Sequence, residues 1–266
     1  MTDESHFRDL TRDSRRSPLQ AILGDIGWLV WFALAVVVAF GTIVQVGAGV
    51  GFGSVAAPST MLLAPQLMPG TMLFLGLASS ALGAGRIAGK IAGREVAIAF
   101  TGRCCGAALA GWLLASFGSQ DVFALLFAGL TLFGIALSVS GLILQPTASA
   151  LMVAGFLSGL MATVTTIGGP PMALIYQHQP VEKVRATLNT YFAIGMLPPI
   201  VALWLAGLLD GLAAGRALLL LPAIIAGLLL AHLATAFIDK RYRSILLMFC
   251  MAAAIIIGVR ALMKLM

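Results

Sequence analysis

Long apolar segments alternate with short polar stretches along almost the whole chain. Uncharged or nearly uncharged segments occupy residues 26–48, 49–66, 70–85, 96–120, 122–145, 148–168, 169–180, 187–209, 217–238 and 244–262. The second and seventh are short and rich in Gly or Pro, which predicts a broken or re-entrant element rather than a plain span. The pattern therefore predicts an all-α integral membrane protein with about eight transmembrane helices and two interrupted segments.

The sequence least compatible with a helix lies inside the longest uncharged stretch. Residues 122–181 contain no Asp, Glu, Lys or Arg, and they include the sequence TTIGGPPM at 165–172. Gly raises the entropic cost of a helix and Pro removes a backbone donor, so an unbroken helix through this sequence is not expected. Since unpaired backbone at membrane depth is tolerated only inside protein or beside a water-filled cavity, the break predicts a binding site.

The two interrupted segments also indicate an internal repeat. With an offset of 112 residues, Gly47 aligns with Gly159 and Pro58 with Pro170. Interrupted segments at corresponding positions of two halves are typical of transporters with a site near the membrane midplane. This divides the chain into a tail (1–25), a first membrane repeat (26–145) and a second membrane repeat (146–266).

Composition excludes several classes of protein. Charged residues make up 10% of the chain and apolar residues 60%, whereas a soluble domain has about 25% charged residues. The net charge of +6 comes from short basic clusters between apolar runs, which fits topology signals rather than nucleic-acid binding. The chain has no HExxH, GxSxG or GxxxxGK[ST] motif and no Cys pair at metal-ligand spacing, so we expect neither an enzyme nor a cofactor or metal.

Basic residues predict the orientation of the chain in the plasma membrane. If both interrupted segments are re-entrant, nine basic residues share the side of the amino terminus and five lie opposite. If residues 169–180 cross fully, the count becomes twelve against two. Both counts predict a cytoplasmic amino terminus, and they disagree about the carboxyl terminus.

Two motifs resemble the paired signatures of the sulfite exporter TauE/SafE family. They are VGAGVGFGSVAAP at 46–58 and GFLSGLMATVTTIGGPP at 155–171, and the similarity covers about residues 26–263. The resemblance implies a permease with two four-helix halves that moves small anions such as sulfite, sulfonates or related organic acids, often outward. The first motif departs from the commoner Gly-Gly-Gly form at residues 51–53, so the choice of substrate is not carried over.

Both interrupted segments could form an oxyanion cradle without a metal. A broken helix presents free N–H groups and a partial positive charge at the start of its second half. Glycines allow close approach of the backbone, prolines break the helix, and hydroxyls add donors. The candidates are Gly49, Gly51, Gly53, Ser54, Pro58, Thr163, Thr165, Thr166, Gly168, Gly169, Pro170 and Pro171. The alternative is that the small residues serve only close helix packing.

Four further side chains are candidates for substrate contact. Arg103 is the one basic residue well inside a predicted span, where it could neutralise an anion or could instead reach the membrane surface. Gln177, His178 and Asn189 follow the second motif, and His178 could exchange a proton. No acidic residue lies in the middle of a span, which disfavours proton relay through a buried carboxylate.

The expected function is that of a secondary transporter for a small anion in a lipid bilayer, working by alternating access around the two breaks. The alternative is a polytopic assembly protein, which would use small-residue faces for partner helices without a cavity. Coupling to protons and self-association into a homo-oligomer are left open by the sequence.

Overall fold

The computed structural model describes residues 22–24, 26–85, 91–117, 119–234 and 240–265. Most of the predicted tail, residues 1–21 and 25, lies outside these ranges. The described residues are helical and contain no strand. In chain order the helices are α1 (Trp28–Ala48), α2 (Phe52–Leu63), a 3-10 turn (Pro65–Leu67), α3 (Gly70–Ala84), α4 (Gly93–Phe117), α5 (Gln120–Val139), α6 (Ala148–Thr165), α7 (Gly169–Tyr176), α8 (Val181–Gly195), α9 (Leu197–Leu205), α10 (Ala213–Ala234) and α11 (Lys240–Leu265).

Six helical stretches in the described part of the chain are long and apolar enough to cross a membrane. They are Trp28–Ala48, Gly93–Phe117, Asp121–Val139, Ala148–Thr165, Val181–Leu205 and Ala213–Ala231. Shorter apolar helices occupy Phe52–Leu63, Gly70–Ala84 and Leu247–Met263. The expected all-helical membrane architecture is confirmed, and the count of eight crossings stays a prediction because two of the predicted spans form shorter helices.

The predicted span 187–209 is divided into α8 and α9. It begins at Val181 and is interrupted at Met196, just before Pro198 and Pro199. A proline has no N–H to donate to the carbonyl four residues earlier, so Pro199 leaves the carbonyl of Gly195 without its usual helical partner. Mean hydropathy does not detect such a division, because the apolar character continues across it.

Contacts between helix ends define two faces of the helical bundle. We call the first the Glu95 face, where Lys183 at the start of α8 pairs with Glu95 at the start of α4 at 3.0 Å. We call the second the Asp210 face, where Arg216 at the start of α10 pairs with Asp210 and donates to the carbonyl of Ile22 at 3.2 Å. The chain before α1 therefore lies on the Asp210 face.

The first two helices form a hairpin that enters and leaves on the Asp210 face. After α2, Gly70 at the start of α3 lies against Leu209 and Ala213 of that face. By contrast, α6 runs alongside α4 from the Glu95 face, and α7 returns there, since Tyr176 at its end donates to Glu95 at 2.6 Å. The α6–α7 hairpin thus places Lys183 beside the start of α4, so that Lys183 and Arg94 lie on the face opposite the start of α1. Neither of the two predicted groupings of basic residues has this arrangement.

Glycines bring α4 and α6 into backbone contact. Gly102 and Gly106 of α4 face Gly155 and Gly159 of α6 in two GxxxG patterns. A β-carbon at any of the four would lie between 1.9 and 2.2 Å from a carbonyl oxygen of the other helix. Small residues allow this approach in membranes, where tight packing rather than the hydrophobic effect drives helix association. The contact holds Arg103, which lies between the two α4 glycines, inside the bundle.

Candidate functional site

The two helix breaks meet in the interior of the protein. The first break, residues 49–51, separates α1 from α2, and the second, residues 166–168, separates α6 from α7. A β-carbon at Gly53 would lie 2.1 Å from the carbonyl oxygen of Thr166. One at Gly169 would lie 2.3 Å from a side-chain carbon of Val50. Glycine at both positions is what allows the two breaks to touch.

Both breaks begin with the same backbone geometry. Gly49 has φ 80° and Thr166 has φ 62°, and each N–H donates to a carbonyl four residues earlier. These two positions are 117 residues apart, whereas the predicted alignment of the two segments uses an offset of 112 residues. Pro58 lies within α2, whereas Pro170 is the second residue of α7, and the two prolines are therefore not equivalent.

A side-chain amide holds the first break together. Gln45, which is 3% exposed, donates from Nε2 to the carbonyl of Gly49 at 3.1 Å and accepts the N–H of Phe52 at 3.1 Å. One carboxamide thus satisfies a backbone acceptor on one side of the break and a backbone donor on the other. Unpaired backbone groups are costly at this depth, so Gln45 stabilises the interruption of the helix.

A hydroxyl and a guanidinium support the second break. Ser158 of α6 is fully buried and donates to the carbonyl of Gly168 at 2.6 Å. The same hydroxyl oxygen accepts from Nη1 of Arg103 at 2.5 Å. A chain of hydrogen bonds therefore connects the only fully buried charged side chain in the described residues to the backbone of the break.

Arg103 is enclosed by uncharged groups. Its Nε donates to the carbonyl of Gly195, which Pro199 has left without a helical partner, and its Nη1 lies 3.4 Å from the hydroxyl of Tyr191. The rings of Tyr191 and Phe192 lie 5.2 and 5.3 Å from the guanidinium carbon, within the range of cation–π attraction. Among the described residues no carboxylate pairs with it. With 0% exposure Arg103 does not reach the membrane surface, so that alternative is wrong.

The guanidinium retains unused donor capacity at Nη2. Arginine carries five N–H donors, and here those on Nε and Nη1 point to Gly195, Ser158 and Tyr191. The two on Nη2 have a thioether sulfur, Sδ of Met196 at 3.6 Å, as their acceptor. A thioether is a weak acceptor, so Nη2 is the edge of this cation that a ligand oxygen could engage.

The hydroxyls near the second break differ in their availability. Thr163 and Thr165 each donate at 2.8 Å to a carbonyl of their own helix, and Thr165 also accepts the N–H of Ile167 at 3.0 Å. The hydroxyl of Thr166 is buried and has no hydrogen-bond partner in the described part of the chain. At the start of α7, Pro170 and Pro171 carry no N–H, so Gly169 is the donor that its first turn can offer.

Pro58 of the first motif leaves the backbone carbonyl of Ser54 without a helical partner. Pro58 cannot donate to the carbonyl of Ser54 four residues earlier, and the thiol of Cys250 in α11 donates to that oxygen at 2.9 Å instead. Gly51, which directly precedes α2, has φ 130°, a conformation that glycine adopts without strain. The structure therefore places these three candidates in the support of α2.

Of the remaining candidates, Asn189 lies near the first break, with its Nδ2 3.5 Å from the carbonyl oxygen of Gln45, whereas Gln177 and His178 lie apart from both breaks. Asn189 is fully buried beside the end of α1 and donates to the carbonyl of Arg185 at 3.0 Å. Gln177 and His178 are exposed beyond the end of α7 at the Glu95 face, and Gln177 donates to the carbonyl of Leu142 at 2.6 Å. The structure does not bring Gln177 and His178 to the breaks.

A cavity opens on the Asp210 face, and side-chain contacts join helices on the Glu95 face. On the Asp210 face a cavity of about 670 Å³ is lined by Leu62, Gln66, Asp121, Leu203 and Arg260. Leu114 also lines it, and this residue lies on α4 eleven positions beyond Arg103. On the Glu95 face the end of α7 and the start of α8 are joined to α4 through Glu95.

Sequence reasoning did not select Gln45 or Ser158. Gln45 is the one side-chain amide in the apolar segment 26–48, which is a signal that could have identified it. Ser158 precedes Gly168 by ten residues in a helix rich in small residues, and no pattern distinguishes it from its neighbours. Its importance follows from the turn of the chain at the second break.

These features define a polytopic membrane protein built around two interrupted helices that meet beside a buried cation. The sulfite exporter TauE/SafE family model matches residues 33–257, and the chain belongs to this family. Members of the family are membrane transporters for sulfite and related anions rather than enzymes. No curated protein and no solved structure matches the chain.

Proposed function

We propose that the protein is a secondary transporter of the plasma membrane that moves a small anion, either sulfite, an organosulfonate or a related organic acid. The observation that carries this proposal is Arg103, a fully buried guanidinium whose Nη2 edge has only a sulfur acceptor among the described residues. A charge inside the membrane is costly and usually belongs to a substrate pathway. A bound oxyanion would supply both the missing countercharge and the missing hydrogen-bond acceptors.

Alternating access around the two breaks is the proposed mechanism. The short helices α2 and α7 begin where the breaks touch, and their amino-terminal ends add partial positive charge near the same region. The cavity on the Asp210 face provides one approach, and on the other side the contacts of Glu95 with Lys183 and Tyr176 would have to open. The proposed substrate contacts are Arg103, Thr166, Gly168 and Gly169.

We also propose that residues 26–145 and 146–266 are inverted repeats with four principal crossings each. The hairpin α1–α2 enters from the Asp210 face and the hairpin α6–α7 from the Glu95 face. Helix packing supports the same relationship, since α1 packs on α10 as α6 packs on α4, and α2 contacts α11 as α7 contacts α5. Inverted repeats are common in transporters that bind substrate at the interface of their halves.

Orientation and coupling stay predictions. A cytoplasmic amino terminus rests on the four arginines of the tail, because Arg94, Lys183 and Arg185 lie on the face opposite the start of α1. Proton coupling would have to use His178 or a protonated substrate, since no carboxylate lies in the middle of a span. Self-association in the bilayer is a further open prediction that cross-linking in membranes would test.

Flux measurements in proteoliposomes test the proposal. We expect uptake of sulfite or a small sulfonate above empty vesicles and no uptake of a neutral solute of similar size. Arg103→Gln should lower anion flux about tenfold or more, because a hydrogen bond to a charged group is lost. Arg216→Gln is the matched control, since Arg216 pairs with Asp210 outside the breaks and should leave flux unchanged.

Two outcomes would overturn the proposal. If no anion is carried above empty vesicles, the assembly-protein alternative becomes the better explanation. If anions are carried but a folded Arg103→Gln variant transports normally, the buried guanidinium does not bind substrate. Thermal unfolding and gel filtration in detergent would establish that each variant is folded before flux is compared.

A further inference from the structure

Ser158 lies between the buried cation and the second break, and no other side chain among the described residues bonds to both. Its oxygen accepts from Nη1 of Arg103, and its single hydroxyl hydrogen is donated to the carbonyl of Gly168. Ser and Thr hydroxyls in membrane helices usually bond a carbonyl of their own helix, as Thr163 does. Ser158 instead makes both of its contacts outside the preceding turn of α6.

The packing around Ser158 leaves no room for a side chain at position 168. A β-carbon at Gly168 would lie 2.8 Å from the carbonyl oxygen and 2.9 Å from the hydroxyl oxygen of Ser158. Gly168 itself has φ −92° and ψ 4°, in a sparsely populated region of backbone space. The carbonyl of Gly168 is therefore kept in place by the bond from Ser158 in a tightly packed site.

We propose that Ser158 is a positioning residue that couples anion occupancy at Arg103 to the geometry of the second break. This inference rests on the proposed function, because it requires an anion at the guanidinium. A hydroxyl that accepts from a cation becomes a stronger donor, since hydrogen bonds in a chain polarise one another. With the site empty, Arg103 thus strengthens the bond from Ser158 to Gly168.

An anion that binds at Arg103 weakens the bond from Ser158 to the carbonyl of Gly168. Its oxygens accept from Nη2 and draw the guanidinium toward the anion, which weakens the bond from Nη1 to Ser158. The hydroxyl then loses its polarising partner, and the carbonyl of Gly168 is held less tightly. Because the carbonyl of Thr166 lies against Gly53, a movement of the second break is transmitted to the first. Binding at one charge thereby acts on both interrupted helices.

A purely structural role for Ser158 gives a different expectation. If the residue only fills space, a small replacement lowers stability without separating substrate binding from turnover. If it couples the two, its loss should slow turnover and leave affinity nearly intact, since Arg103 keeps its Nη2 donors for the anion. The split between the Michaelis constant and the turnover number therefore distinguishes the two roles.

The test compares Ser158→Ala with Ser59→Ala, using sulfite as the probe. Ser59 is a suitable control because it is buried and donates at 2.9 Å to the carbonyl of Val55 in its own helix. In proteoliposomes we expect Ser158→Ala to lower turnover about tenfold, the equivalent of one hydrogen bond, with the Michaelis constant changed less than about threefold. Sulfite should still raise the unfolding temperature of this variant, and Ser59→Ala should behave as the wild type.

Other results would overturn the inference. It fails if Ser158→Ala transports normally, or if its affinity and turnover fall together as expected for Arg103→Gln. Ser158→Cys keeps a weaker donor and should show an intermediate turnover, which provides the test if the alanine variant does not fold. Failure of the proposed function is recognised separately, because the wild type would then carry no anion at all.

Discussion

A methyl group added at Gly53 should separate the two breaks. The β-carbon of Gly53→Ala would lie 2.1 Å from the oxygen and 2.7 Å from the carbon of the Thr166 carbonyl, and 3.2 Å from the Cα of Ile167. Ordinary contact begins near 3.4 Å, so backbone must move by more than 1 Å. All three atoms belong to backbone, which cannot rotate away as a flexible side chain would. Overpacking of this kind costs about 1–3 kcal/mol.

That cost is measurable as thermal unfolding of the purified protein in detergent. For a chain of this size each kcal/mol shifts the unfolding temperature by roughly 2–4 °C, so Gly53→Ala should lower it by several degrees. Gly129→Ala provides the control, because Gly129 is exposed in α5 and a β-carbon there meets nothing within 4 Å. Removing a glycine from a helix interior without a clash should stabilise the protein by about 0.5–1 kcal/mol. Equal unfolding temperatures for the two variants would refute the reasoning.

Two further substitutions test how the first break and α2 are supported, both by thermal unfolding. Gln45→Leu should destabilise the protein by about 1–3 kcal/mol, because it leaves the buried N–H of Phe52 unpaired; an unchanged unfolding temperature would show that the amide does not hold the break. Cys250→Ala should cost about 0.5–1 kcal/mol through loss of the donor to Ser54. Cys250→Ser retains a donor and should restore stability, so equal losses in both variants would contradict this account.

The sequence locates both breaks but does not indicate what stabilises them. The second interruption is predicted by Gly168, Pro170 and Pro171, because the two prolines cannot donate helical hydrogen bonds. The structure confirms a break there. The donors that satisfy the freed backbone come from distant positions, such as Ser158 for Gly168. Spacing along the chain carries no information about such contacts, because they are set by how the helices pack.

Arg103 illustrates the same limit. From the sequence it could lie inside the membrane or reach its surface, because hydropathy alone does not fix where the predicted span 96–120 begins. In the structure α4 begins at Gly93, and the contact of Gly159 with the backbone of Arg103 buries the side chain. The proximity of Gln177 and His178 to the second motif in the chain suggested a role that the direction of α7 does not support, since it carries both to the surface.

Two prolines in this protein each leave a backbone carbonyl without its helical partner, and different kinds of donor form hydrogen bonds with these two carbonyls. Pro58 frees the carbonyl of Ser54, which a neutral thiol engages, whereas Pro199 frees that of Gly195, which a guanidinium engages. The first break is likewise held by a neutral amide, and the second by a hydroxyl that is bonded to the same guanidinium. Only a charged donor can be attracted strongly by an anion. An anionic substrate would therefore act first on the second break and the joint between α8 and α9, and the first break would follow through its contact at Gly53.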